Sequence, residues 1–342
     1  MSFDILLIDD SALSRRIVKD IAEELPGVRV VGEAVNGREG IQLMEQLRPD
    51  LVILDVEMPV MDGISVLKER KARQIKSPVL MLSVLTREGA DTTFQALELG
   101  ALDFVPKPSA HMGFMVDELQ ALLREKISDL ISAKDSYIPT VVQTGKIAPG
   151  RRITDFDLVL IGSSTGGPQC LHRIFRKLPA NFQLPICVVQ HMPPVFTAAF
   201  ASRLSSISGL QVFEAADGIE LKPGQAVVAK GGLHLGFQKP NHQLIITLND
   251  GPRLNAHRPS IDFSVRSAQK IFKNRILGII MTGMGRDGVD GLKELRRAGG
   301  FVIAQDEKTS TVFGMNRRAI EEGASDVILS DEAIADYLLE LK

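Results

Sequence analysis

Residues 3–16 read FDILLIDDSALSRR and set the pattern for the first third of the chain. An apolar run, Phe3–Ile8, ends at the acidic pair Asp9 and Asp10, and a stretch with helical spacing begins directly after it. Apolar runs without polar alternation are typical of strands that are covered on both faces of a parallel sheet. The stretch therefore predicts a strand–helix unit with its acidic residues at the carboxyl end of the strand.

The same unit repeats as far as residue 107. Four more apolar runs alternate with helical patterns, at Val28–Val31, Leu51–Leu54, Val79–Leu82 and Leu102–Val105. Five strands alternating with helices predict a doubly wound parallel sheet of the flavodoxin-like α/β class. A further helix is predicted over residues 112–132, where Lys126 interrupts an otherwise apolar stripe.

A break in this rhythm divides the chain into two domains. Residues 133–153 contain two prolines and two glycines and keep no sustained period, which is typical of a linker. We therefore predict one domain over residues 1–132 and a second over residues 154–342.

The second domain is also predicted to be α/β, with a Rossmann-like parallel sheet. Its strands are expected at Leu158–Ile161, Pro185–Gln190, Ile276–Met281, Phe301–Ala304 and Asp326–Leu329. Its helices are expected near residues 167–178, 196–206, 260–272, 287–298, 315–322 and 331–341. Short strand-like runs between residues 210 and 250 predict a hairpin or a small antiparallel extension.

Composition excludes several classes of function. The 342 residues are 44% hydrophobic and 24% charged, with a net charge of −2, so we expect no nucleic-acid partner and no DNA-binding output. Two cysteines are too few for a cysteine-rich zinc site. No secretory signal and no apolar run of about 18 residues is found, so we expect a cytoplasmic protein without membrane insertion.

The strand ends of the first domain carry a chemically coherent set of side chains. Asp9, Asp10 and Asp55 fall at the carboxyl ends of two strands, which share one edge of a parallel sheet. Carboxylates repel one another by about 4 kcal/mol at roughly 4 Å, and Mg²⁺ relieves such repulsion. Ser83 and Lys107 end two further strands, so the set suits a phosphoryl group on a carboxylate nucleophile. The alternative is that the aspartates only cap helices.

The second domain opens with a glycine-rich turn. Gly162-x-Ser164-x-Gly166 follows a strand and precedes a helix, the arrangement that exposes a nucleophilic serine. The same turn could be purely structural or could hold a phosphate, although it lacks the G-x-G-x-x-G spacing. His191 and Asp287 also follow strands, so a nucleophile, a general base and an orienting carboxylate are predicted at one edge.

Other candidates in this domain have simpler interpretations. Cys170 is interpreted as a buried helix residue, and the scattered histidines show no metal-ligand spacing. Ser260 is interpreted as a helix cap, while a substrate-holding role for His257 and Arg258 is the lesser alternative.

The first domain resembles the receiver domain of two-component response regulators. The resemblance rests on LLIDDSALSRR (6–16), DVEMPVMDG (55–63), MLSVLT (81–86) and GALDFVPKP (100–108). It implies that Asp55 accepts a phosphoryl group from a histidine kinase and that Asp10 and Asp55, with help from Asp9, hold Mg²⁺. It also implies phosphate sensing by Ser83 and Lys107 and a switching role for Phe104.

The second domain resembles the catalytic domain of chemotaxis response-regulator methylesterases. The matching segments are IGSSTGGP (161–168), VVQHMPP (188–194), DGPRLNAHRPSID (250–262), ILGIIMTGMGRDG (276–288) and AQDEKTSTVFGMNRRAI (304–320). The resemblance implies Ser164 as nucleophile, His191 as base, Asp287 as its orienter, and Met284 N–H with Thr165 at the oxyanion. Ser163 departs from the alanine that the family commonly has before the nucleophile.

The resemblance also implies a biological role. The expected substrate is the glutamate methyl ester on cytoplasmic helices of chemoreceptors, with methanol released and receptor glutamines deamidated by the same residues. No cofactor is expected for ester hydrolysis, and recruitment to chemoreceptor arrays is expected. Two alternatives stay open: a receiver-controlled binding module without catalysis, and a nucleotide-dependent enzyme that uses the Gly162–Gly167 turn.

Overall fold

A computed structural model describes residues 2–83, 87–107, 116–135 and 155–341. The chain divides into two compact units, Met1–Tyr137 and Ile138–Lys342.

The first unit is a parallel sheet between helices. Its elements in chain order are β1 (Phe3–Ile8), α1 (Ala12–Glu23), β2 (Val28–Ala34), α2 (Gly37–Leu47), β3 (Leu51–Asp55), α3 (Gly63–Ala72), β4 (Val79–Ser83), α4 (Arg87–Glu98), β5 (Asp103–Pro106) and α5 (Val116–Asp135). Among the described residues, the parallel strands lie in the order β2-β1-β3-β4-β5. This is the flavodoxin-like order, and the predicted fold class is confirmed.

Burial explains why these segments form central strands. All five residues of β3 and all five of β4 are buried, because helices cover both faces of the sheet. Polar side chains are consequently placed at the carboxyl ends of these strands, where they lie at one edge of the sheet. Local capping sets the helix starts, as where the Asp62 carboxylate accepts a hydrogen bond from Ser65 N at the start of α3.

Helix α5 differs from its predicted limits. It continues to Asp135, three residues past the predicted end, since Pro139 is the first strong helix breaker in that stretch. Residues 108–115 and 136–154 lie outside the described part of the chain, and with them the start of the predicted helix and most of the predicted linker.

Lys126 has a structural role that its place in the apolar stripe did not reveal. Its ammonium is buried and lies 2.8 Å from Asp103 Oδ2 at the start of β5. Burial lowers the pKa of the Lys126 ammonium, but Asp103, Glu125 and Asp129 raise it by more, so the group stays charged. The pair therefore joins α5 to the sheet next to Phe104.

Breaking this pair is expected to destabilise the first unit. Lys126→Met leaves the Asp103 carboxylate buried without its ammonium, at a cost of about 3–5 kcal/mol. Hydrogen–deuterium exchange at the β5 amides measures the loss, with amides of the second unit as an internal reference. Lys19→Met is the matched control, because the Lys19–Glu33 pair is partly exposed and should contribute little. Equal exchange in both variants would contradict the assignment.

The second unit is built around a longer parallel sheet. Its elements are β6 (Leu158–Ser163), α6 (Gly167–Phe175), β7 (Ile186–Gln190), α7 (Pro194–Ile207), β8 (Gln211–Glu214), β9 (Gln225–Val228), β10 (His234–Gln238), β11 (Ile245–Asn249), α8 (Ile261–Phe272), β12 (Ile276–Ile280), α9 (Val289–Arg297), β13 (Phe301–Gln305), α10 (Met315–Glu321), β14 (Val327–Leu329) and α11 (Asp331–Glu340). Within residues 155–341, the parallel strands lie in the order β14-β13-β12-β6-β7-β9-β8.

The region between residues 210 and 250 contains the predicted antiparallel extension and two further strands of the main sheet. Only β10 and β11 form the expected antiparallel pair. Strands β8 and β9 instead extend the main sheet in parallel, with β9 beside β7. The predicted antiparallel extension is thus confirmed at β10 and β11, and the two shorter strands before it belong to the main sheet.

The sheet order brings three strand ends together. Strand β6 lies between β7 and β12, with Ser163 opposite Gln190 and Gly162 opposite Ile280. Residues that directly follow these strands therefore meet at one edge of the sheet. In the described part of the chain, no helix combines the length and the apolar character that crossing a membrane requires.

Candidate functional sites

The first site is an acidic cluster at the carboxyl edge of the first sheet. Carboxylate oxygens of Asp9, Asp10 and Asp55 lie within 4.8 Å of one another. Lys107 Nζ lies 3.1 Å from Asp9, 3.8 Å from Asp10 and 2.5 Å from Asp55, so it partly neutralises all three. The structure thus brings together four of the residues that the sequence placed at strand ends.

Asp55, the candidate phosphoryl acceptor, is buried, with 2% of its surface exposed. Burial raises the pKa of Asp55 to about 6, although the hydrogen bond from Lys107 opposes this shift. The backbone N–H of the next residue, Val56, donates a hydrogen bond of 2.8 Å to Asp55 Oδ1, which orients the carboxylate. Three carboxylate oxygens this close together, with the Lys107 ammonium beside them, fit the preference of Mg²⁺ for hard oxygen ligands.

Two of the predicted phosphate-sensing residues, Ser83 and Phe104, contact helix α4. Ser83 is fully buried, and its hydroxyl contacts Thr93 Oγ1 at 2.5 Å and Gly89 O at 3.2 Å. Phe104 is 3% exposed and packs edge-to-face on Phe94 of α4, with ring centroids 6.2 Å apart. Both side chains therefore contact α4, the helix that follows β4.

The second site begins at the turn between β6 and α6. Gly166 has a φ of +79°, and a Cβ there would lie 2.3 Å from Thr311, so glycine is required. Ser164 is almost fully buried, and its hydroxyl makes no hydrogen bond to the described residues. The turn therefore fixes the position of Ser164, while the Ser164 hydroxyl makes no hydrogen bond within the described part of the chain that would stabilise the turn.

Ser163, the second hydroxyl of this turn, has a different position. Its Oγ donates 2.6 Å to Oε1 of Gln190, and its side chain is wholly buried. The amide of Gln190 then donates to the carbonyls of Ser164 (2.9 Å) and His191 (3.0 Å). Gln190 therefore ties the ends of β6 and β7 together and occupies the Ser163 hydroxyl, which leaves Ser164 as the candidate nucleophile.

His191 and Asp287 form a close pair beside this turn. His191 Nε2 lies 2.9 Å from Asp287 Oδ2, and Asp287 is completely buried. Asp287 also accepts hydrogen bonds from Ser260 Oγ (2.7 Å) and Ile261 N (2.6 Å) at the start of α8. Burial pushes the pKa of Asp287 upward, but these donors together with His191 hold it below its ordinary value.

This pairing decides which ring nitrogen of His191 is available for chemistry. Because Nε2 faces Asp287, only Nδ1 can accept a proton from a nucleophile. This nitrogen is buried and has no hydrogen-bond partner in the described residues. The Ser–His–Asp template of serine proteases uses the two nitrogens in the opposite way. Ser164 and His191 Nδ1 make no hydrogen bond to each other here, and such contacts often shorten only when substrate binds.

The predicted oxyanion residues lie beside Ser164. A Cβ on Gly283 would lie 2.6 Å from the Ser164 Cβ, so the backbone that leads into Met284 touches the serine. The Met284 N–H donates no hydrogen bond within the described residues, which leaves it available to an oxyanion. The Thr165 carbonyl accepts from Thr282 Oγ1 at 2.8 Å, which fixes the other side of the turn.

Sequence reasoning named Ser260 as a helix cap and His257 as a lesser, substrate-holding candidate. It predicted neither side chain's contact with the His191–Asp287 pair, and it missed Asn255. Ser260 caps α8, as predicted, by accepting from Phe263 N, yet the same hydroxyl also donates to Asp287. His257 stacks on His191, and Asn255 donates to Asp287. Only the proximity of His257 to Ser260 along the chain hinted at this grouping, since the tight turn that folds it back has no strong sequence signal.

The two cysteines lie inside the second unit. Cys170 and Cys187 are free and buried. Burial raises the pKa of the Cys170 thiol to about 11 and that of Cys187 well above its ordinary value. Cys170 is therefore a buried helix residue with an unreactive thiol.

The first unit is flavodoxin-like and carries an acidic cluster in which Asp9 and Asp55 are buried. The second is an α/β unit with a serine, a histidine and an aspartate at neighbouring strand ends. Together these features define a receiver-linked hydrolase. The family model for the response regulator receiver domain matches residues 5–147, and the model for CheB methylesterase matches residues 159–338. The chain belongs to the CheB methylesterase family, which confirms the predicted resemblance and class of enzyme.

Relatives extend this match over nearly the whole chain. Two proteins named protein-glutamate methylesterase/protein-glutamine glutaminase come from Pyrococcus horikoshii and Thermotoga maritima. They are 41% and 40% identical over 98% of this chain and over 92% and 98% of their own lengths. The crystal structure of the Thermotoga maritima CheB methylesterase catalytic domain is 45% identical, with a TM-score of 0.53, and covers 55% of this chain and 99% of that domain.

Proposed function

We propose that this chain hydrolyses the methyl esters of glutamate side chains on chemoreceptors and deamidates receptor glutamines, under the control of phosphorylation at Asp55. The observation that carries the chemistry is the 2.9 Å contact between His191 and Asp287, on strand ends that flank the Ser164 turn. The names of the relatives support the choice of substrate.

Ser164 would act as nucleophile in the first half of the reaction. His191 Nδ1 takes the hydroxyl proton as Ser164 Oγ attacks the ester carbonyl, and Asp287 stabilises the imidazolium through Nε2. The Met284 N–H stabilises the oxyanion, with the Thr165 segment beside it. The carbon–oxygen bond to methoxide then breaks, His191 returns the proton, and methanol leaves an acyl-serine.

Water completes the reaction. His191 takes a proton from water, the hydroxide attacks the acyl-serine, and the Ser164 oxygen leaves with the proton from His191. The product is a free glutamate carboxylate. With a glutamine substrate the same steps release ammonia in place of methanol.

The receiver unit would supply the control. Asp55 is the proposed acceptor of a phosphoryl group from the histidine kinase of the signalling system, and Asp9, Asp10 and Asp55 would hold Mg²⁺, which neutralises phosphoryl oxygens. Lys107 already contacts all three carboxylates and would bind the phosphoryl group. Ser83 and Phe104, now directed at α4, are the proposed residues that pass the change to that helix.

Methanol release from methylated receptor membranes tests this proposal. The full chain should release methanol, faster with Mg²⁺ and a small phosphodonor such as acetyl phosphate, while Asp55→Asn should keep the basal rate and lose the stimulation. Asp62→Asn is the matched control, since Asp62 only caps α3 and should leave the stimulation intact. Absence of methanol under every condition would refute the choice of substrate.

The same proposal places this protein in the cytoplasm, where it is recruited to chemoreceptor arrays. Co-sedimentation of the full chain with receptor membranes tests it, and equal recovery with receptor-free membranes would contradict it.

A further inference from the structure

A tight turn, Leu254–His257, lies directly against the His191–Asp287 pair. Leu254 and His257 exchange two backbone hydrogen bonds of 3.1 and 2.9 Å. Asn255 and Ala256, between them, have φ values of +50° and +67°. Two successive left-handed residues in a two-residue connection are the geometry of a type I′ turn, which asparagine adopts more readily than most residues.

Asn255 joins two carboxylates. Its side chain amide donates 2.7 Å to Asp262 Oδ2 and 3.2 Å to Asp287 Oδ1. Asp262 is itself 1% exposed and accepts from Gly291 N at 2.6 Å. Two buried carboxylates repel each other, and a shared donor fixes both in place. Asn255 therefore restricts the rotation of Asp287 about its side chain.

His257 contacts the other member of the pair. Its ring lies parallel to the ring of His191, with centroids 3.7 Å apart and planes 11° apart. Asp287 holds one edge of the His191 ring, and His257 covers one face. A ring held at an edge and a face keeps its orientation, so Nδ1 stays directed to one place.

We propose that the Leu254–His257 turn is a positioning element for the His191–Asp287 pair, an inference that rests on the proposed function of that pair. Asn255 orients the carboxylate, and His257 orients the imidazole through its flat surface. Neither residue transfers a proton. A displacement of about 1 Å can cost roughly a hundredfold in rate, so loss of the turn contacts should be visible in the reactivity of Ser164.

A comparison of two substitutions separates positioning by His257 from proton transfer. The rate at which a fluorophosphonate labels Ser164 in the full chain, followed by intact mass, reports the reactivity of the serine without a receptor substrate. His257→Ala should slow labelling by about tenfold to a hundredfold, whereas His257→Phe, which keeps a flat ring, should stay within about threefold of the wild type. Equal losses in both variants would overturn the proposal.

The exposed His242 provides the matched histidine control. It lies in the short Pro240–His242 turn, outside the site, and His242→Ala should label at the wild-type rate. Slower labelling of His242→Ala would show a general effect of histidine removal and would overturn the interpretation of His257.

Asn255 has an equally close control. Asn241 is also exposed and left-handed, with a φ of +48°, but it touches no residue of the site. Asn255→Ala and Asn241→Ala both place alanine in a left-handed conformation, at the same cost in backbone energy. Only Asn255→Ala also removes contacts with the site, so only this variant should slow labelling, by about tenfold. With methylated receptors, Asn255→Ala should lower kcat and leave KM unchanged. Wild-type labelling of Asn255→Ala would overturn the proposal.

The labelling assay also distinguishes the two proposals from each other. A wild-type chain whose Ser164 is labelled but that releases no methanol refutes the receptor substrate and leaves the positioning test intact. A wild-type chain that is not labelled at Ser164 overturns both proposals together.

Discussion

Replacing Ser164 with alanine is expected to lower methanol release by about 10⁴-fold or more, without changing the fold. The Ser164 hydroxyl makes no hydrogen bond to the described residues, so its removal leaves no buried partner unsatisfied. Its loss takes away the only proposed bond-forming atom, and His191 then has no hydroxyl to deprotonate. The measurement is the rate of methanol release from methylated receptor membranes.

Ser163→Ala is the matched control for that result. It removes the neighbouring hydroxyl, which is occupied by Gln190, and places the family's common alanine before the nucleophile. Because the buried Gln190 Oε1 loses its donor, the substitution should cost about 1–3 kcal/mol of stability, and activity should stay within about tenfold of the wild type. A larger loss of activity in Ser163→Ala than in Ser164→Ala would show that Ser163, and not Ser164, is the nucleophile.

Asp287→Asn is expected to lower methanol release by about 10⁴-fold. The carboxylate accepts from His191, Ser260 and Ile261 at once, and its two oxygens are both engaged. An asparagine offers one oxygen and one amide, so one of these donors would face another donor. The imidazolium that forms during attack would also lose its counter-charge.

Asp290→Asn provides the comparison for this charge removal. Asp290 lies three residues further on, is partly exposed and pairs with Arg286. Its neutralisation removes the same charge from the same region, yet activity should stay near that of the wild type, because exposed ion pairs contribute little. Similar losses in Asp287→Asn and Asp290→Asn would show that net charge, and not orientation of His191, is what matters.

Much of the architecture followed from local sequence patterns. Uninterrupted apolar runs such as Leu51–Leu54 predicted buried parallel strands, and the strand ends then placed Asp55 and Lys107 at one edge. The same reasoning placed His191 and Asp287 at neighbouring strand ends. These inferences succeed because the carboxyl edge of a parallel sheet is a property of the topology, which periodicity reveals.

Other parts depended on contacts between residues far apart in the chain. Lys126 pairs with Asp103, Ser163 donates to Gln190, and Asn255 donates to Asp287, and no local pattern marks any of these partners. The direction of a side chain at a strand end is equally non-local. Ser83 ends β4 as predicted, and its hydroxyl contacts Thr93 of α4, a partner that no local sequence pattern marks.

The buried thiols have a practical consequence for the study of this enzyme. Because Cys170 and Cys187 are shielded and hard to ionise, maleimide reagents should react with cysteines introduced at exposed sites and spare the native pair. One reporter at Arg16 in the first unit and another at Lys222 in the second can thus be attached to an otherwise native sequence. Spin-label distances taken before and after addition of a phosphodonor would then follow the two units in solution.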